Sequence, residues 1–91
     1  MKLLLCKICH DIFSLNMHTT KFCVCGETFG VYTDGLNAEY GGDDAVPLGF
    51  ANSSFSAALR KQPESGWGES FEAFVIPKKC ETYKKVSAPS G

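Results

Sequence analysis

A β-rich α+β fold is what this sequence predicts, and three observations predict it. Its cysteines are concentrated in two close pairs, Cys6-Lys7-Ile8-Cys9 and Cys23-Val24-Cys25. Short apolar runs with two-residue alternation are separated by turns rich in Gly and Asp. Only one segment, beginning near Asn52, carries a helical stripe, and Pro63 stops it. The expected architecture is an N-terminal ribbon over residues 1–33, continuing into an antiparallel sheet with one helix packed on it. That second part occupies residues 34–86 and forms one compact unit with the ribbon, and residues 87–91 form a frayed end.

The elements follow in order. Leu3 to Leu5 reads as a strand entering the first cysteine turn, and Asp11 to Leu15 as the strand returning from it. Polar residues Asn16 to Thr20 form a loop before Lys21-Phe22 approaches the second pair. Thr28 to Thr33 alternates, with Phe29 and Val31 on one face and Tyr32 on the other. Asp34-Gly35 is a hairpin-turn dipeptide leading to a strand from Leu36 to Tyr40, and Gly41-Gly42-Asp43 is a second turn. Val46, Leu48 and Phe50 alternate as another strand, which Pro47 should place at a sheet edge because it lacks a ladder donor. Phe55, Ala58 and Leu59 form the stripe of the helix, with Arg60 and Lys61 near its C-terminal end, where the dipole favours cations. Phe71 to Ile76 is apolar on both faces, which predicts a central strand covered on both sides.

Length and composition limit the function classes. The chain has 91 residues, 44% hydrophobic and 21% charged, as a small globular domain should. A chain this short buries a modest core, so a metal or disulfide staple is expected. A formal net charge of −1 gives no global reason to bind nucleic acid. Charge is unevenly spread: Glu27 to Asp44 holds only acidic charges, whereas Lys78 to Lys85 is mostly basic. No apolar run approaches the ~20 residues needed to cross a bilayer, so no membrane partner is expected. Met1-Lys2-Leu3-Leu4-Leu5 imitates the opening of an export signal, but Cys6-Lys7 and His10-Asp11 interrupt the apolar core it needs. A cytoplasmic location is therefore expected, and there cysteines serve metals rather than disulfides.

Two cysteines separated by one or two residues reach the same ion from one tight turn. Cys6, Cys9, Cys23 and Cys25 together make the tetrahedral four-thiolate set of structural zinc, and Gly26 is free to adopt the positive φ such a turn needs. An iron–sulfur cluster accepts the same four ligands, but a compact ribbon is the commoner host of zinc. His10 is an alternative ligand by position, His18 lies in a polar loop, and Cys80 stands apart as a plain thiol. Four cysteines close the coordination sphere, which argues against a metalloenzyme. No nucleophile–base order, phosphate loop or pair of acids stands out, so no catalytic residue is expected.

Asn52, Ser53 and Ser54 at the helix start offer either ordinary caps or an anion site for a phosphorylated ligand. Trp67 between Gly66 and Gly68 is either a core residue or a partner anchor.

The run from Cys6-x-x-Cys9 through Asp11-Ile12-Phe13-Ser14-Leu15 to Cys23-x-Cys25-Gly26 resembles a zinc ribbon. Tyr32-x-Asp34-Gly35-x-Asn37-Ala38, Pro47-Leu48-Gly49-Phe50 and Phe74-Val75-Ile76-Pro77-Lys78 extend the likeness. With them the chain resembles short uncharacterised zinc-ribbon proteins of bacteriophage and bacterial genomes. That resemblance implies zinc at the four cysteines and a phage-related setting, and it implies no activity. The leading expectation is a non-enzymatic zinc-binding protein that engages a host or phage protein, since the acidic stretch disfavours nucleic acid. A small-ligand binder for a phosphorylated metabolite or signalling nucleotide, using Asn52 to Ser54, comes second. Nucleic-acid binding through the Lys78 to Lys85 segment comes third.

Overall fold

The computed structural model describes residues 1–88. The strands are β1 (Lys2–Cys6), β2 (Ile12–Ser14), β3 (Lys21–Phe22), β4 (Phe29–Tyr32), β5 (Ala38–Gly41) and β6 (Ala45–Phe50). Helix α1 (Asn52–Arg60) follows, then β7 (Ala73–Val75) and β8 (Tyr83–Lys85). These residues build a strand-rich α+β fold with a cysteine-bearing ribbon at its N-terminal end. Instead of one sheet there are two, each four-stranded, in the orders β2-β1-β6-β7 and β3-β4-β5-β8. The first is antiparallel throughout, whereas the second is mixed because β8 runs parallel to β5.

The expected frayed end at residues 87–91 lies, from residue 89 on, outside the described residues. Among the described residues no helix is long and apolar enough to cross a membrane.

The sheets meet face to face. Leu4, Phe13 and Ile76 of the first sheet and its connections share one core with Ala38, Tyr40 and Tyr83 of the second. Gly30 in β4 permits this approach, since a Cβ there would lie 2.7 Å from Leu15 Cδ2 and 3.1 Å from Leu4 Cδ2. Two hydroxyls pin the layers together. Tyr83 donates to the Leu3 carbonyl at 2.8 Å, and the Lys2 amide donates to the Tyr32 hydroxyl at 3.0 Å. Burial raises the pKa of the Tyr83 phenol, which keeps it protonated as a donor.

Several elements depart from expectation for identifiable reasons. Pro47 sits in β6, which lies inside its sheet and not at an edge. Its carbonyl accepts from Ile76 at 2.9 Å, so its nitrogen faces the same side, where β7 has already ended at Val75. The reciprocal bond to Ile76 cannot form, and the ladder ends there, so the missing donor costs only the last bond of the pairing. The run Phe71 to Ile76 was expected to be central, yet β7 is an edge strand with all three residues exposed. The Asp34-Gly35 hairpin exists, but a carboxylate holds the loop. Asp34 accepts from the amides of Leu36 (2.8 Å) and Asn37 (2.7 Å), and these bonds with the Asn37 side chain hold its pKa at about 2. The basic segment near the C-terminus contains a strand, β8, whose Tyr83 is fully buried and packs edge-on against Tyr40 at 5.0 Å.

Helix α1 has no buried residue and joins the sheet through an aromatic trio, Phe50, Phe55 and Phe71. It therefore flanks the first sheet rather than sealing it.

Gly30→Ala should destabilise the fold by about 1–3 kcal/mol, because two buried leucines must shift. Gly35→Ala, whose Cβ would meet nothing within 4 Å, should stay within about 0.5 kcal/mol of wild type. Urea unfolding with the metal site saturated measures both.

Candidate metal centre

Each cysteine pair occupies the turn of a β-hairpin, and the two hairpins belong to different sheets. In the first, the Cys6 amide donates to the Asp11 carbonyl at 2.9 Å, closing a loop of residues 7–10. In the second, the Cys23 amide donates to the Thr28 carbonyl at 2.9 Å, closing a loop of residues 24–27. The loops are thus equal in length although the cysteine spacings differ. In both, the residue after the second cysteine adopts positive φ, 61° at His10 and 82° at Gly26. That left-handed residue turns the chain back toward its strand once the sulfur has been presented. Histidine is among the few side chains often found in this region.

The pairing brings four sulfurs together. The Sγ atoms of Cys6, Cys9, Cys23 and Cys25 all lie within 4.8 Å of one another. Cys25 is 3.4 Å from Cys23 and 3.7 Å from Cys6, sulfur to sulfur. Tetrahedral coordination with metal–sulfur bonds of about 2.3 Å requires sulfurs about 3.8 Å apart, so the spacing fits one ion. The hairpins also brace each other, since the Val24 amide donates to the Asp11 carboxylate at 3.2 Å.

The surroundings suit thiolates. Thr28 has a fully buried hydroxyl with no hydrogen-bond partner. A thiolate at Cys6 is the acceptor it lacks. This hydroxyl is the largest influence drawing the Cys6 pKa down to about 6, followed by the Cys9 amide. Burial works to raise Cys23, yet the Thr28 amide, 3.3 Å from its sulfur, holds it below its ordinary value. At Cys25 the Glu27 amide pulls downward, but desolvation and the three neighbouring sulfurs push the pKa up to about 12. Four sulfurs this close cannot all ionise unaided, so their protons distribute unevenly. A divalent cation removes that conflict.

These four residues are the ones singled out from the sequence, and they converge. His10 is exposed and outside the cluster, where it serves as the left-handed residue and donates its amide to the Cys6 carbonyl at 2.8 Å. His18 is exposed in the connecting loop. Cys80 also stands apart, half-buried with its sulfur 3.6 Å from the Thr82 hydroxyl. Asp11 and Thr28 were not foreseen. Their common position, closing hairpins of equal length, was the available signal.

The other candidate site does not assemble as a cap. Ala51 is the N-cap of α1 and offers no side-chain bond. The Asn52 Oδ1 accepts from the Met1 nitrogen at 2.6 Å, and the Ser54 hydroxyl accepts from the Glu72 amide at 2.8 Å. Ser53 is exposed. Trp67 is 96% exposed and so is no core residue.

No family model, curated protein or solved structure matches this chain.

Gly26→Ala should cost about 1–2 kcal/mol from backbone strain alone, because its Cβ would meet no atom within 4 Å. His10→Gly should act in the opposite direction by relieving the same strain. Chelator competition reads both as opposite shifts in metal retention.

Proposed function

We propose that this chain is a zinc-stabilised, non-enzymatic binding protein that engages a protein partner in a phage-related, cytoplasmic setting. The observation that carries the reading is the four-sulfur cluster. Its donor set is all thiolate, the soft tetrahedral environment that suits zinc, and it leaves no coordination position for a substrate. Zinc affinity in such sites is folding free energy, so the ion would act by holding the two hairpins together.

A second feature supports a protein partner. The face of the first sheet turned away from the core carries Leu3, Leu5, Ile12, Val46, Leu48 and Phe50, where water-facing strands ordinarily alternate to polar residues. Ser14, opposite Leu3, is the polar exception among these strand positions. None of these side chains is fully buried, and Ile12 is 55% exposed. An apolar face of this kind suits a protein surface better than a polyanion. The phage-related setting rests on the resemblance described above, and the cytoplasmic one on the use of cysteine as a metal ligand.

Elemental analysis of the purified chain should find one zinc per chain, lost in Cys9→Ser together with the ribbon fold. Cys80→Ala should retain full zinc content, because the four sulfurs already complete the tetrahedron. A well-folded, metal-free Cys9→Ser variant would overturn the structural role. For the partner, Ile12→Lys should keep its zinc yet recover markedly less protein than wild type when used to capture binders from host lysate. Equal recovery by the two would remove the apolar face from the proposal.

A further inference from the structure

We infer that the free edge of β7 pairs with β7 of a second copy of this chain, joining two four-stranded sheets into one continuous sheet. Exposed edges in natural proteins are usually guarded by charge. Of the four edge strands, β3 carries Lys21 and β8 carries Lys84 and Lys85, whereas β2 (Ile12-Phe13-Ser14) and β7 (Ala73-Phe74-Val75) carry no charge. Of these two, only β7 is flanked by opposite charges at its two ends. Both large side chains stand in solvent, Phe74 51% and Val75 67% exposed.

The hydrogen-bond pattern sets which groups are on offer. On the β6 side, Ile76 donates to Pro47 and Ala51 donates to the Glu72 carbonyl, each at 2.9 Å. Residues 72, 74 and 76 therefore face β6. Ala73 and Val75, which sit opposite Phe50 and Leu48 as the alternate pairs, direct their amides and carbonyls outward.

Charge identifies the occupant as a second copy in antiparallel orientation. Before β7 come Glu69 and Glu72, and after it Lys78 and Lys79, all of them exposed. An antiparallel copy lays the acidic end of each strand beside the basic end of the other, on both sides of a two-fold axis. A parallel copy would set like charges together. With the axis at Phe74, Ala73 of each chain exchanges both backbone bonds with Val75 of the other. The two Phe74 rings then cover one another on the inner face. On the outer face, the row running through Leu3, Leu48 and Val75 continues into Ala73 of the second copy.

The contact is small, in the range of weak and transient interfaces. Sedimentation velocity on the purified zinc-loaded chain should therefore show a monomer–dimer equilibrium that shifts with concentration. In Val75→Pro the lost amide points outward, so the intrachain ladder is intact while intermolecular bonds are removed. Its dimer should be weaker by about tenfold or more, with zinc content unchanged. Glu72→Lys should also weaken the dimer, and adding Lys78→Glu should restore it. The restoration answers the question even if the proline variant folds poorly. A chain that stays monomeric at every concentration would overturn the inference. So would a dimer indifferent to both Val75→Pro and the charge reversal.

Discussion

The convergence of four sulfurs from two hairpin turns is the constraint on which the rest of this structure depends. One turn belongs to the sheet containing β1 and β6, the other to the sheet containing β4 and β5. An ion held there links the two layers at one end, where short strands supply little ladder of their own. Apparent metal-binding free energies for zinc-finger peptides are roughly 10–16 kcal/mol. The entire stability of a typical domain is only about 5–15 kcal/mol. Coordination is therefore comparable to everything else that holds a chain of this size together.

Away from the sulfurs, the layers are fastened by tyrosines. Tyr40 and Tyr83 pack edge-on within the core, and the Tyr83 hydroxyl reaches the backbone of β1 in the opposite sheet. Gly30 and Gly49 provide the clearance, the first beneath Leu4 and Leu15, the second beneath the ring of Phe74. The two halves of the chain are interleaved as a result. β1 pairs with β6, and β4 with β5, so the ribbon strands serve as working members of both sheets. The ribbon at residues 1–33 is thus folded into the sheets formed by the residues that follow it.

Both outer surfaces carry apolar side chains. On the second sheet, Glu39 of β5 lies between Val31 of β4 and Lys84 of β8, and Val31 and Phe29 on that face are buried. On the first sheet the rows through Leu3, Leu5, Val46 and Leu48 are apolar, and helix α1 reaches only the Phe50 end. The outward face of the first sheet therefore gains by being covered, which is the physical basis for proposing macromolecular contacts there. A free apolar strand edge adjoins that same side.

By itself, the sequence determined the strand-rich class, the single helix and the four cysteines that cluster, because each of these depends on short-range spacing. Two sulfurs in one tight turn reach the same ion wherever that turn is carried. The Asp34 hairpin was legible for the same reason, although its carboxylate, not Gly35, holds the loop. What only the tertiary structure decided depends on partners distant in the chain. β8 exists because Tyr83 finds a core and Tyr40 to pack on, and nothing within Lys78 to Lys85 announces that. Pro47 is accommodated inside a sheet because its nitrogen faces the last pair of the β6–β7 ladder, where only the bond from Ile76 is made. β7 is an edge because no further strand arrives, even though Phe71 to Ile76 is as apolar as a central strand. Apolar character on both faces states that burial is favourable, and only the completed fold decides which face receives it. Asn52 and Ser54 teach the same point, since their local pattern reads as a cap while their bonds go to Met1 and Glu72.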